Sequence, residues 1–289
     1  MNTQNIPQAD FAIIGGSGTL SSNFPLGAKC DDVKIIQDRM VFDTPYGKTT
    51  ELRLFEVAGT RVLTCKMHGW RSGVNRADAS RQLFWTFREA GVKRIFSEGG
   101  VGTINKLLDT RDFLIPDDYL DMSVRKDVGL EGKYLLVMRD ALCPQMREEL
   151  IKNTRKHFSG RIFIRGTYAN TDGRHFESPA EIAMLNGHAD IVGQSICPEV
   201  YLAREIGACY AGLYYVVNYG EGIKPWSHQV LEDIFYDDAP MISKILLDTI
   251  RSLAQQDRNC ECLSLRKETL LKGISVSYTH LTLPTTSRV

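Results

Sequence analysis

Short apolar runs alternate with amphipathic segments along most of this chain. The segments 11–14, 61–65 and 207–217 are largely apolar, which is the pattern of buried strands. The segments 75–90 and 241–253 instead carry apolar residues at helical spacing, so they predict amphipathic helices. Because predicted strands alternate with predicted helices, the sequence indicates an α/β fold.

Three polar residues in the stretch 166–221 lie next to the ends of predicted strands. Glu177 opens a helix after a strand and a glycine turn, Ser195 follows a second short strand, and Asn218 ends the long strand. In an open α/β sheet, the carboxyl ends of the strands and the loops that leave them form the ligand crevice. We therefore expect these three side chains to converge on one pocket.

Length and charge narrow the class of protein. A chain of 289 residues fits one large α/β domain or two small ones. Lysine plus arginine equals aspartate plus glutamate at 35 each, which gives no long-range attraction to nucleic acid or to an anionic membrane. No apolar run approaches the length of a membrane span, and the N-terminus has no signal-peptide pattern, so we expect a soluble, cytoplasmic protein.

The cysteines favour a reducing compartment over a disulfide framework. Their number is odd and they are scattered through the chain, several of them in apolar runs. They lie at positions 30, 65, 143, 197, 209, 260 and 262. The motif Cys260-x-Cys262 lacks both the two-residue spacer and the second pair of a zinc site, so the sequence predicts no metal.

Two strand ends carry residues suited to an anion. The first predicted strand leads into Gly15-Gly16-Ser17-Gly18, whose backbone N–H groups and hydroxyl can donate to an oxyanion. The strand 61–65 is followed by Lys66 and His68, which can form charge-assisted hydrogen bonds. Taken alone, these stretches also fit a tight turn and an exposed basic turn.

Five segments together resemble a known enzyme family. They are GGSG (15–18), the region of His68, GRHFESPAE (173–181), VGQSICPEV (192–200) and VVNYGEG (216–222). In this order they resemble the trimeric purine nucleoside phosphorylase and methylthioadenosine phosphorylase family, over most of residues 10–256. The resemblance implies a single domain with a central mixed β-sheet flanked by helices, and a homotrimer. Residues 257–289 have no family counterpart, and we interpret them as a disordered or non-native tail, with 275–289 resembling translated cloning sequence.

The resemblance implies a phosphate site. Its residues would be Ser17, Gly16, Lys66, His68, Gly100 and Ser195. Three positions depart from the family pattern. Lys66 lacks the bidentate fork of an arginine, Met67 lies where the methylthioadenosine enzymes carry that arginine, and Glu98 replaces a neutral residue beside the phosphate.

The resemblance also implies a base site selective for 6-oxopurines. Its base-binding and sugar-binding residues would be Phe176, Glu177, Gln194, Asn218, Trp226 and His228, with Asn218, His68 and Glu177 as catalytic residues. An asparagine amide accepts a hydrogen bond from N7–H of the leaving purine and donates one to O6. A carboxylate accepts N1–H of hypoxanthine or guanine, whereas adenine has no hydrogen at N1.

Several alternatives stay open. Glu177 also suits a helix N-terminus, Ser195 an ordinary cap, Asn218 a turn and Phe176 the core. Leu135 lies where methylthioadenosine enzymes present a histidine from the neighbouring subunit, so a 5′-methylthio nucleoside, including methylthioadenosine or methylthioinosine, is an alternative substrate. Met67, Glu98 and Gln194 together are compatible with a catalytically silent, nucleoside-binding homologue. No metal or organic cofactor is expected, and phosphate is a co-substrate.

Overall fold

The computed structural model describes residues 5–125, 127–173 and 175–269, and these ranges contain fifteen β-strands and seven α-helices. The strands are β1 (Phe11–Ile14), β2 (Val33–Met40), β3 (Asp43–Thr44), β4 (Gly47–Lys48), β5 (Leu52–Val57), β6 (Thr60–Cys65), β7 (Arg94–Thr103), β8 (Phe113–Leu114), β9 (Asp118–Asp121), β10 (Tyr134–Leu136), β11 (Ile162–Phe163), β12 (Thr167–Asn170), β13 (Ile191–Gly193), β14 (Cys209–Tyr219) and β15 (Arg266–Glu268). The helices are α1 (Ser17–Leu20), α2 (Arg76–Glu89), α3 (Pro144–His157), α4 (Pro179–Leu185), α5 (Ile196–Ile206), α6 (His228–Asp237) and α7 (Ala239–Ala254).

The main sheet is mixed, as predicted. Its strands lie in the order β11-β8-β14-β7-β1-β6-β5-β2. The central strands β14, β7, β1 and β6 are parallel to one another, whereas β8 pairs antiparallel with β14, and β5 pairs antiparallel with β6 and β2. A branch of β9, β12 and β13 joins the carboxyl end of β7 through an antiparallel pairing of β13. The carboxyl ends of β7, β12, β13 and β14 are therefore brought close together.

Helices cover both faces of the sheet. Alternate residues of β1 point to opposite faces, so Phe11 and Ile13 belong to one apolar cluster and Ala12 and Ile14 to another. The first cluster includes buried residues of α3 and α7, and the second includes those of α2 and α5. Every position of β14 is buried, which explains why this strand is an unbroken apolar run in the sequence.

The predicted helices form close to their predicted ends. In α2, Oδ1 of Asn75 accepts from the backbone N–H of Asp78 at 2.8 Å, which caps the first turn. Gly91 follows the helix with φ of +75°, a conformation that favours glycine. In the described part of the chain, none of the helices has both the length and the apolarity that crossing a membrane requires.

The described residues continue to 269, beyond the predicted domain boundary at residue 256. Strand β15 pairs with β10, and the side chains of Cys262 and Leu265 are buried. The sequence of this short segment has no helical or strand periodicity, and its contacts in the structure are with distant residues. The stretch 275–289, predicted to be non-native, lies outside the described residues.

Candidate active site

A cavity of about 480 Å³ lies at the carboxyl ends of β7, β13 and β14. It brings together nine of the residues that the sequence analysis assigned to the phosphate and base sites. They are Ser17, His68, Gly100, Phe176, Glu177, Gln194, Ser195, Asn218 and His228. The expected convergence of Glu177, Ser195 and Asn218 is therefore found in the structure, whereas the chemical role of each residue stays a prediction.

Glu177 faces the cavity and does not cap the adjacent helix. Ser178 is the N-cap of α4, and Glu181 completes a capping box with it. Glu177 is only 7% exposed, and its Oε1 accepts a hydrogen bond from the Thr171 hydroxyl at 2.5 Å. The helix start is satisfied by other residues, so the Glu177 carboxylate is available to a ligand.

Asn218 is presented by an irregularity in β14. The register between β14 and β7 shifts between Val216 and Asn218, which places Asn218 opposite Gly102. The side-chain Nδ2 donates to the carbonyl of Tyr219 at 3.0 Å. This local bond orients the amide, whose side chain is nearly buried and lines the cavity.

An aromatic ring forms part of one wall, and a second ring packs against it. Phe176 lines the cavity and is 51% exposed, so it is not a core residue. Its ring lies edge-on to Trp226, with 5.0 Å between the ring centroids. Trp226 is not among the lining residues, and its Nε1 donates to Glu221 at 3.0 Å. Trp226 therefore supports Phe176 from behind, whereas His228 lines the cavity directly.

His68 is held by a carboxylate that the sequence analysis missed. Its Nδ1 lies 2.7 Å from Oε1 of Glu199, and both side chains are almost completely buried. Glu199 also accepts from the Tyr210 hydroxyl at 2.8 Å. This pairing fixes the imidazole ring and leaves Nε2 for the cavity. The signal in the sequence was Glu199 itself, a carboxylate within the otherwise apolar first two turns of α5.

Backbone N–H groups of the glycine loop, residues 15–18, donate to the Glu98 carboxylate. Oε1 of Glu98 accepts from the N–H of Gly16 at 2.5 Å and from both the N–H and the hydroxyl of Thr19 at 3.0 and 2.8 Å. Oε2 accepts from the N–H of Gly18 at 2.9 Å. Burial raises the pKa of Glu98, and these hydrogen bonds oppose the rise. The carboxylate lies behind the loop rather than in the cavity, and it takes up donors that were expected for phosphate.

Of the other predicted phosphate-site residues, Ser17 and Ser195 line the cavity and Gly16 does not. Ser17 lines the cavity and accepts from the N–H of Gly100 at 2.8 Å. Ser195 occupies the N-cap position of α5, but its hydroxyl makes no capping bond and lies 3.2 Å from the Tyr168 hydroxyl. Gly16 is buried beside Ser17 and does not line the cavity.

Lys66 is not brought to the cavity. It is exposed and lines a separate surface cavity with Asp38 and Arg53. The chain turns sharply after β6, so that Met67 and His68 line the candidate cavity instead. Among the described lining residues there is no lysine or arginine. The nearby guanidinium of Arg76 lies 3.9 Å from the ring centroid of Trp70 and donates to Gln194, so it supports the wall.

Leu135 lies on β10 and does not line the cavity of its own chain. Its side chain is 55% exposed. A contact with the cavity of a neighbouring subunit, as the resemblance implies, stays a prediction.

Comparison with known proteins assigns the family. Residues 10–251 match the family model described as the phosphorylase superfamily, and the chain belongs to that superfamily. It is 30% identical to a probable 6-oxopurine nucleoside phosphorylase of Dictyoglomus turgidum, over 91% of this chain and 98% of the relative. It is 29% identical to an S-methyl-5′-thioadenosine phosphorylase of Thermofilum pendens, over 90% of this chain and 97% of the relative.

The fold agrees with the family. A solved methylthioadenosine phosphorylase from an antarctic soil metagenomic library superimposes with a TM-score of 0.77 at 24% identity, covering 89% of this chain and 91% of that one. An adenosine/methylthioadenosine phosphorylase mutant from Schistosoma mansoni gives a TM-score of 0.73 at 21% identity, with coverage of 86% and 93%. The predicted family and the predicted single-domain α/β fold are thus confirmed.

Proposed function

We propose that this chain cleaves purine nucleosides with inorganic phosphate, prefers 6-oxopurine bases, and releases the free base and ribose 1-phosphate. The observation that carries the proposal is the pair of buried polar side chains, Glu177 and Asn218, in one cavity with Phe176. Relatives named as 6-oxopurine nucleoside phosphorylases, which match over most of the chain, support it.

The base end of the cavity suits a departing 6-oxopurine. Negative charge develops on the base as its bond to C1′ breaks, and groups that favour this charge lower the barrier. The Asn218 amide accepts from N7–H and donates to O6, which a carboxylate does not do. Glu177 accepts from N1–H, while Phe176 offers an apolar face for stacking.

Phosphate would bind at the opposite end. The donors available there are His68 Nε2 and the hydroxyls of Ser17 and Ser195. The N–H of Gly100 already donates to the Ser17 hydroxyl. When both nitrogens of His68 carry protons, Nδ1–H donates to Glu199 and Nε2–H donates to phosphate. Phosphate oxygen then attacks C1′ while the base leaves on the other side.

The proposal extends to the 5′ end of the sugar, where a methylthio group is the alternative to a hydroxyl, and to a homotrimeric assembly. Besides His228, α6 contributes only the apolar Leu231 and Phe235 to the described lining, which favours a 5′-methylthio nucleoside as an alternative substrate. Relatives named as S-methyl-5′-thioadenosine phosphorylases fit that alternative. In a homotrimer, the exposed Leu135 would supply an apolar contact to the neighbouring cavity. Phosphate is the co-substrate, and a cytoplasmic location agrees with this chemistry.

The test is base release from four nucleosides, each with and without phosphate. Inosine and methylthioinosine share the 6-oxo group, whereas adenosine and methylthioadenosine carry a 6-amino group. We expect phosphate-dependent cleavage of the 6-oxo pair to exceed that of the 6-amino pair by roughly 10²-fold or more. Equal cleavage of both pairs would remove Glu177 and Asn218 from base recognition.

A second candidate is a nucleoside-binding protein without turnover. It is favoured by the occupation of the glycine-loop donors by Glu98 and by the lack of lysine and arginine in the described lining. Titration calorimetry with inosine distinguishes it, since tight binding without base release at any phosphate concentration would establish this candidate and contradict the first.

A further inference from the structure

Four cysteines from three separate segments meet at one point. Cys143 precedes α3, Cys209 begins β14, and Cys260 and Cys262 follow α7. Their four sulphur atoms all lie within 4.8 Å of one another, and the Cys209 and Cys260 sulphurs are 3.3 Å apart. The sequence near Cys260-x-Cys262 lacks the second cysteine pair of a zinc site. In the structure, Cys143 and Cys209 provide that pair from distant parts of the chain.

The spacing of the sulphurs fits a metal ion better than a bridge. Zinc bound tetrahedrally with Zn–S distances of about 2.3 Å places its sulphur ligands about 3.8 Å apart. A disulfide requires a separation of about 2.05 Å. All seven cysteines lie in the described ranges, and none of them forms a disulfide there.

We propose that Cys143, Cys209, Cys260 and Cys262 bind one Zn²⁺ ion as a closed tetrathiolate site. This site is independent of the proposed nucleoside chemistry. Four thiolates are a soft donor set that selects zinc over magnesium or calcium, and a site with four protein ligands leaves no position for a substrate. Binding converts four thiols to thiolates and releases four protons to solvent.

The surroundings hold the ligands in place before metal arrives. Arg94 donates to the carbonyls of Leu253 and Gln256 at 3.3 and 2.7 Å, which fixes the chain just before the Cys-x-Cys motif. The side chain of Gln145 on α3 donates to the Asp257 carbonyl at 2.8 Å and accepts from the N–H of Asn259 at 3.3 Å. The motif is thus attached to the helix that Cys143 precedes.

Charge and access also suit the ion. A zinc ion with four thiolates carries two net negative charges, which the positive end of α3 at Cys143 and the nearby guanidinium of Arg258 offset. Arg258 is held there by a bond of 3.0 Å to the Gly207 carbonyl, two residues before Cys209. Cys143, Cys209 and Cys262 are buried, while Cys260 is half-buried and borders a surface cavity through which an ion can enter.

The position of the cluster indicates a structural role. Cys209 and Asn218 lie at opposite ends of β14, so about 30 Å of strand separates the cluster from the base end of the nucleoside cavity. None of the four cysteines lines that cavity. A zinc ion here would join the segment after α7 to the start of the central strand.

The test is the zinc content of the full chain, purified with a thiol reductant and no chelator. We expect one zinc per chain by elemental mass spectrometry, and loss of that zinc in the double variant Cys260→Ser, Cys262→Ser. The matched control is Cys30→Ser, which changes a partly buried cysteine outside the cluster and should keep the zinc.

Cobalt titration of the unmodified protein gives a second readout that does not depend on the variants folding. We expect the intense visible absorption of tetrahedral thiolate-bound Co²⁺, saturating at one equivalent and displaced by Zn²⁺. A metal-free protein that gives no such spectrum would overturn the proposal. Intact-mass analysis showing a loss of two hydrogens per cysteine pair under these reducing conditions would also overturn it, in favour of disulfides.

Discussion

The two ends of the nucleoside cavity differ in how their polar groups are used. At the base end, Glu177 and Asn218 are buried, oriented by single local bonds and turned towards the cavity. At the phosphate end, the backbone N–H groups of the glycine loop donate to Glu98, and the His68 ring is fixed by its hydrogen bond with Glu199. The base end is thus organised for a ligand, whereas much of the phosphate end satisfies groups within the protein. Base selectivity is therefore expected to be strong and phosphate affinity weak.

Asn218→Asp should give the largest effect, because it removes the side-chain hydrogen-bond donor at the base end. The new carboxylate cannot donate to O6 and lies beside the charge that develops on the base. We expect kcat/KM for inosine to fall by on the order of 10²–10³-fold. The ratio of kcat/KM for inosine to kcat/KM for adenosine should therefore fall as well. Steady-state kinetics with both nucleosides measure this, and an unchanged preference would remove Asn218 from the base end.

Glu98→Ala tests whether the phosphate end is organised around an internal carboxylate. The substitution leaves the N–H groups of Gly16, Gly18 and Thr19 without their acceptor in a buried site. We expect the free energy of unfolding to fall by about 3 kcal/mol, since each buried donor left unpaired costs about 1–3 kcal/mol. Chemical denaturation measures the change. The exposed Glu51→Ala is the matched control, and equal stability of both variants would contradict the assignment of Glu98.

Met67→Arg should strengthen the weak end of the cavity. Met67 lines the cavity, so an arginine there would place a guanidinium next to the expected phosphate. A charge-assisted hydrogen bond contributes about 1.5–3 kcal/mol, which corresponds to a KM for phosphate lower by roughly 10- to 100-fold. Rates at varied phosphate measure it with inosine held constant. An unchanged KM would show that the phosphate end is not limited by missing positive charge.

Lys66→Ala should have almost no effect, although the sequence predicts a phosphate ligand there. Lys66 is exposed and lines a different cavity, so its charge is screened by solvent. We expect the KM for phosphate to change by less than about twofold, whereas the matched His68→Gln should raise it strongly. A large increase in the Lys66 variant would return this residue to the phosphate site.

Hydrophobic periodicity predicted the strands and helices, and the positions of polar residues at strand ends predicted the cavity. The apolar runs became β1, β6 and β14, and the polar residues that follow strands met in one cavity, because parallel strands end at the same edge of a sheet. The sequence left open whether Glu177 caps a helix or binds a ligand. The structure decides against capping, because Ser178 and Glu181 cap α4.

Contacts between distant positions could not be predicted from the sequence. Glu98 bonds to Gly16 across 82 positions, and His68 pairs with Glu199 across 131 positions. A single sequence carries no pattern that links such residues, so the donors taken by Glu98 and the support for His68 went unseen. The cysteine cluster was missed for the same reason, since its four ligands come from three segments.

The most direct test of a well-organised base end and a weak phosphate end is the initial rate of hypoxanthine release from inosine as phosphate is raised from zero. We expect no release without phosphate and a rate that saturates only at high phosphate concentration. Release at the same rate without phosphate, or no release at any phosphate concentration, would contradict it.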